Sequence, residues 1–240
     1  MKVKFLIDKK FDVKTVYWIL SSKDPAGTAS RAKSMGIPLT TARKFKNKTW
    51  KEVQNLSLKL ADKRYCKHLG KMKESVANYQ KAWNEIGQIF SKEIEKLTGK
   101  KWKFENYYVV VSAIHKGTSS RDGNKVCRIF GEDPKAQLRV TAHELLMTHI
   151  WHILDTDYCS ALDDYKGWAL NEITTTFILS FEEKLCQLWP SSSRDYKVYL
   201  RNYPQLWEPR EKLKEIWLGR KDFNDYMNKS ISVLKTYELR

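Results

Sequence analysis

Apolar residues recur every three or four positions through several windows of the chain, the spacing of one buried face of an α-helix. The clearest window is 139–154, where Leu138, Ala142, Leu145, Leu146, Ile150, Ile153 and Leu154 form a stripe. Asp133 and Pro134 just upstream supply an N-cap and a residue suited to a first helical turn. A second stripe, Val76, Tyr79, Trp83, Ile86, Phe90, Ile94 and Leu97, predicts a helix over 71–97 that Gly99 closes. A separate helix is expected over 50–62, with a break at Gly70. A third apolar helix runs from Gly167 to about Trp189, where Pro190 stops it. Residues 191–240 predict two or three amphipathic helices packed through Tyr199, Tyr203, Leu206, Trp207, Leu213, Ile216, Trp217, Tyr226, Ile231 and Leu234.

Elsewhere the period shortens. β-Branched and aromatic residues predict a buried strand over 107–113, a Gly- and Ser-rich turn over 116–124 and a shorter edge strand over 126–130. A short strand over 3–7 and a helix over 13–20 open the chain. Between 21 and 48, Pro25, Gly27, Gly36 and Pro38 alternate with Arg31, Lys33, Arg43, Lys44, Lys46 and Lys48. That mixture predicts a mobile basic arm or an insertion, not a packed core element. The elements add up to an α+β chain, with a small sheet to one side and helices forming most of the mass. Three segments follow: a basic, mostly helical 1–103, a core over 104–190, and C-terminal helices over 191–240 that pack on that core.

Composition narrows the class. With 42% apolar and 12% aromatic residues, the chain is globular and neither disordered nor fibrous. Its net charge of +16 lies entirely in residues 1–103, which hold 25 Lys/Arg against 9 Asp/Glu, while the remainder holds 19 of each. Such asymmetry suits nucleic acid, acidic protein or an anionic surface, and equally a lysine-rich solvated face. Cys66, Cys127, Cys159 and Cys186 are scattered without a C-x-x-C pair, so free thiols in a reducing cytoplasm are expected. No apolar run reaches the roughly 20 residues of a membrane span, and none near residue 1 has the length of a signal peptide.

The residues that carry chemistry concentrate in 139–154. Three of the five histidines, His143, His149 and His152, lie there with Glu144. His143 falls on or near the apolar face between Val140 and Met147, where an imidazole needs a hydrogen-bond partner or a metal. Glu172 shares its stripe of the next helix with Trp168, Thr176 and Leu179, so its carboxylate must be paired, protonated or bound to a cation. The plain structural reading is a salt bridge to Arg139 or a lysine.

A strand, an edge strand, a helix opening on His143-Glu144 and a following helix with Trp168-Ala169-Leu170-Asn171-Glu172 resemble the layout of the gluzincin zinc metallopeptidases. The likeness is to the thermolysin and aminopeptidase-N groups and spans roughly residues 107–189. It implies a zincin-like fold, a Zn cofactor and a peptide or protein substrate. It also implies His143 and Glu172 as metal ligands and Glu144 as the general base that deprotonates a metal-activated water. Met147 stands where the family's H-E-x-x-H motif has its second histidine, and a thioether is a poor zinc ligand. His149 replaces it only on a distorted helix, because six residues turn a regular helix by about 120°. His115, at the end of the long strand, is the other substitute.

The chain is therefore expected to be a zinc metallopeptidase-like hydrolase, or a degenerate and inactive descendant of one. The edge strand 126–130 would receive an extended peptide by strand addition. Two readings of other classes stay open. One is a nucleic-acid-binding protein that uses the basic N-terminal segment, where Trp18, Phe45, Trp50, Tyr65 and Tyr79 stand among the cations for base stacking. The other is a non-catalytic scaffold for a partner protein.

Overall fold

A computed structural model describes residues 1–21, 29, 31–33, 35–159, 161–190 and 203–238. Strand β1 (Lys2–Leu6) and helix α1 (Lys9–Leu20) come first. Asp8 caps α1 by accepting from the Phe11 amide at 3.0 Å. A single turn, α2 (Leu39–Ala42), leads to α3 (Trp50–Thr98), one helix of 49 residues. Thr49 and Glu52 form a capping box at its start, and Gly99 ends it at φ 68, a left-handed position that glycine takes without strain. The break expected at Gly70 does not occur. Ala61, Tyr65, Met72, Ser75 and Tyr79 are buried at helical spacing on both sides of it, and that burial outweighs the roughly 1 kcal/mol a lone glycine costs a helix.

Strands β2 (Asn106–Ser112), β3 (Gly117–Thr118) and β4 (Lys125–Ile129) join β1 in a four-stranded sheet of order β1-β2-β4-β3. β2 runs parallel to both neighbours, with Val109 paired to Phe5 on one side and Val126 on the other. β3 returns antiparallel along β4 and sets Gly117 opposite Arg128. The strand expected at the edge, 126–130, is thus an inner strand, because the chain before it folds back and takes its free side. β3 is the edge.

Helix α4 (Ala136–Asp157) begins where the Asp133 carboxylate accepts from the Ala136 amide at 2.8 Å. It is followed by α5 (Asp164–Phe181), α6 (Glu183–Cys186), α7 (Trp207–Leu218) and α8 (Phe223–Thr236). The single helix expected from Gly167 to Trp189 stops at Glu182. There the backbone is extended (ψ 109) and the side chain pairs with Arg220 between α7 and α8.

Two apolar clusters hold the fold. The larger joins the sheet, the second half of α3, and α4, α5, α7 and α8 through residues such as Trp83, Phe90, Tyr107, Leu145, Phe177 and Trp217. The smaller lies between α1 and the first half of α3 and includes Val16, Leu20, Phe45, Tyr65 and Met72, with Ala113 and Ile114 from just beyond β2. Ala32, Met35, Ile37, Ala42 and Phe45 are all buried there. The arm expected over 21–48 is accordingly a packed element across its described residues: α1 and α3 leave an apolar face that these side chains cover. Pro25, Gly27 and Tyr199 lie outside the described residues. The whole is a mixed α+β fold with one small sheet, and no described helix is long and apolar enough to cross a membrane.

Candidate functional site

Helices α4 and α5 are tied together beside the residues of interest. Asn171 Nδ2 donates to the Met147 carbonyl at 2.8 Å, and its Oδ1 accepts from Thr175 at 3.2 Å. This fixes Glu172, the next residue, against His143, one turn before Met147. His143 Nε2 stands 3.1 Å from Glu172 Oε2, and the two side chains are 12% and 11% exposed. Burial acts to lower the His143 pKa, but the hydrogen-bonded Glu172 and the nearby Glu144 outweigh it, so the value is raised. The environment favours an imidazolium held by a carboxylate.

Glu144 faces the sheet edge. A Cβ added at Gly117 would lie 2.5 Å from Glu144 Oε1 and 3.1 Å from an Arg128 guanidinium nitrogen. Only a residue without a side chain lets the β3 backbone approach this carboxylate so closely. Ser119, two residues on, acts on this carboxylate as well. Burial pushes the Glu144 carboxyl up to about 7 against the pull of His143; Glu172 raises it further, while Arg128 and Ser119 oppose the rise. A carboxyl at that value exchanges its proton near neutrality, the range in which a general acid or base works. Arg128 itself is buried, donating to the Lys116 carbonyl and pairing with Glu132. The turn that carries Gly117 and Ser119 is anchored further along by Arg121, which bonds Asp155 at 2.6 Å and Asp164 at 2.8 Å and stacks 4.3 Å from the Trp151 ring.

Tyr203, outside the two helices, lies within the field of both carboxylates. Its ring meets Trp168 edge-on at 5.0 Å. Burial pushes its phenol up to about 12, with the charges of Glu172 and Glu144 adding to the rise and Arg31 opposing it. The sequence pattern assigns Tyr203 to packing alone, offers Asn171 only as part of the Trp168–Glu172 motif, and gives no role to Gly117, Ser119 or Arg128. Arg128 did leave a signal, a cation inside an apolar strand; Tyr203 left none, since only folding brings it back to residues so distant along the chain.

His149 is not part of this cluster. Its Nε2 lies 3.2 Å from Thr98 Oγ1 and its ring stacks 4.5 Å from Trp102. Burial pushes its pKa down to about 3. α4 is a regular helix throughout, so the six residues after His143 carry His149 about 120° round it, and the metal-ligand role expected for it is not met here. His115 is also elsewhere, 3.5 Å from the Asp12 carbonyl, with burial lowering it to about 4. Asp155, one turn beyond His152 on the same helix, is engaged by Arg121.

Among the described residues, no three His, Cys, Asp or Glu side chains are grouped to hold a metal ion. His143 and Glu172 offer two donors, and Met147 occupies the third position on the helix face. His143 Nδ1 is buried without a hydrogen-bond partner, so it lacks the outer acceptor that normally orients a zinc-bound imidazole. A catalytic zinc takes three protein ligands. This donor set does not fit one. No family model, curated protein or solved structure matches the chain.

Proposed function

We propose that this chain is a gluzincin-like, peptide-binding descendant of the zinc metallopeptidases. In this reading it keeps the acid–base carboxylate and the peptide-receiving edge but not a full zinc ligand set. One observation carries the proposal: Glu144, with its pKa near neutrality, is seated against the edge strand β3 beside the His143–Glu172 pair. The outer side of β3 offers backbone groups to an extended peptide, which adds as a further strand. A peptide laid there brings its carbonyls toward Glu144. His143 and Tyr203 then supply donors on the helix side, and Glu144 takes or returns a proton.

Binding of unstructured fluorescent peptides by the intact protein tests the reading, with metal content measured on the same sample. Wild type should bind peptides, and Gly117→Val, which fills the approach between β3 and Glu144, should weaken binding at least tenfold. Zinc should be far below one equivalent. Absence of peptide binding would sink the proposal. One equivalent of zinc with chelator-sensitive cleavage would show instead that the ancestral metal reaction survives.

A further inference from the structure

The first half of α3 carries charge that the fold does not use. Lys59, Lys63, Lys67 and Lys71 follow one another at intervals of four, and all are exposed. Each step advances about 6 Å along the axis and about 40° around it, so the four ammonium groups form a row roughly 18 Å long. Like charges at this spacing repel and weaken a helix. Among the described residues none of the four has an ion pair. Asp62, the one acid within residues 53–73, is taken by Lys9. Arg64 turns inward and donates to the carbonyls of Ala113 and Gly36 at 3.4 and 3.1 Å. The other face of this half-helix is buried through Ala61, Tyr65 and Met72, so the row looks away from the molecule.

We infer that this row docks on the phosphate backbone of duplex DNA, a contact separate from the peptide site. A line of evenly spaced cations matches an evenly charged rod, and it gains affinity by releasing the rod's counterions. The same face lacks what other partners require. A helix lying on a membrane needs apolar residues on its exposed side, and a stable protein interface needs buried anchors; Leu69 is the one large apolar side chain well exposed on this half of α3. Single strands bind by stacking on open aromatic rings. Here Phe45, Tyr65 and Tyr79 are buried and Trp50 packs edge-on against Tyr17 at 5.6 Å, so of the five stacking residues expected from the sequence only Trp18 is well exposed. The wide major groove of B-form DNA admits a helix face, whereas the A-form groove of duplex RNA is too narrow and deep.

Titration of the full chain with a short mixed-sequence DNA duplex, followed by anisotropy at several salt concentrations, tests the inference. Four phosphate contacts predict a loss of about a hundredfold in affinity between about 50 and 200 mM salt. K59Q/K63Q/K67Q/K71Q, which removes only exposed side chains and their mutual repulsion, should flatten the salt slope by about 3 to 4. The matching Lys→Arg variant should bind like wild type. Cys66, exposed between Lys63 and Lys67, should be alkylated more slowly when duplex is bound, while exposed Cys159 should react unchanged. Salt-insensitive binding, an unchanged slope in the Gln variant, an unprotected Cys66, or tighter binding to duplex RNA or phosphatidylserine vesicles would each overturn it.

Discussion

His143 and His149 lie on one regular helix six residues apart, and their surroundings drive them in opposite directions. Around His143 two carboxylates overcome burial and raise its pKa. Around His149 there is no carboxylate in contact, only Thr98 and the face of Trp102, and burial lowers it to about 3. Burial by itself therefore does not fix the charge of a histidine. What separates the two is whether an acid faces the ring, and that is decided by the helix packed alongside.

The largest expected effect breaks the comparison at His149. The folded chain leaves this ring neutral down to about 3 while the unfolded chain protonates it near 6.5, so stability falls as pH drops through that window. His149→Leu removes the liability and leaves Thr98 its bonds to Ile94 and Lys100. Going from pH 7 to pH 4, urea midpoints should show the variant losing about 3 kcal/mol less stability than wild type. Equal losses in the two proteins would mean that titration of the ring is not what matters.

At His143 the sign reverses. A raised pKa contributes stability that is present in full below about 6.5 and fades as pH rises through the folded value. Glu172→Leu should lower stability by about 2 kcal/mol at pH 6, the worth of a charged hydrogen bond, and by progressively less at higher pH. The His143 resonance, followed by NMR, should then titrate below the ordinary value.

Glu144 gives a smaller effect. Its folded pKa of about 7 lies above the ordinary 4.5, so the folded chain holds the extra proton and stability declines as pH rises through that interval. Glu144→Gln should gain about 1–2 kcal/mol at pH 8 and nothing at pH 4, measured by thermal unfolding across pH. Gly117→Ala should give the smallest change, a loss of about 1 kcal/mol from crowding Glu144. That loss should vanish in the background Glu144→Ala; if it persists, the close approach of β3 to this carboxylate is not its cause.

Much of this was legible in advance, for identifiable reasons. The stripe from Leu138 to Leu154 and that from Val76 to Leu97 repeat often enough to set both helix type and buried face. His143 and Glu172 stood out because each interrupts such a stripe with a group that cannot be buried alone. Gly70 misled because local propensity is small beside the burial on both sides of it. The stretch from Ala32 to Phe45 misled for the opposite reason. Its apolar residues are spaced without a period, so nothing local shows that α1 and α3 provide a face for them.

The order of residues by itself determined the helical stripes of 76–97 and 138–154, the central strand β2, the placing of all excess cationic charge in 1–103 and the two polar residues whose burial demands a partner. These follow from short-range spacing, which any chain carries in its pattern. Tertiary structure alone decided that β3 and not β4 is the outer strand on that side of the sheet, that Glu144 meets Gly117, that Tyr203 feels the charges of the two carboxylates and that His149 is a core residue. Each of these depends on contacts between segments distant along the chain, where the energy of packing and the field of neighbouring charges act only once the segments have met.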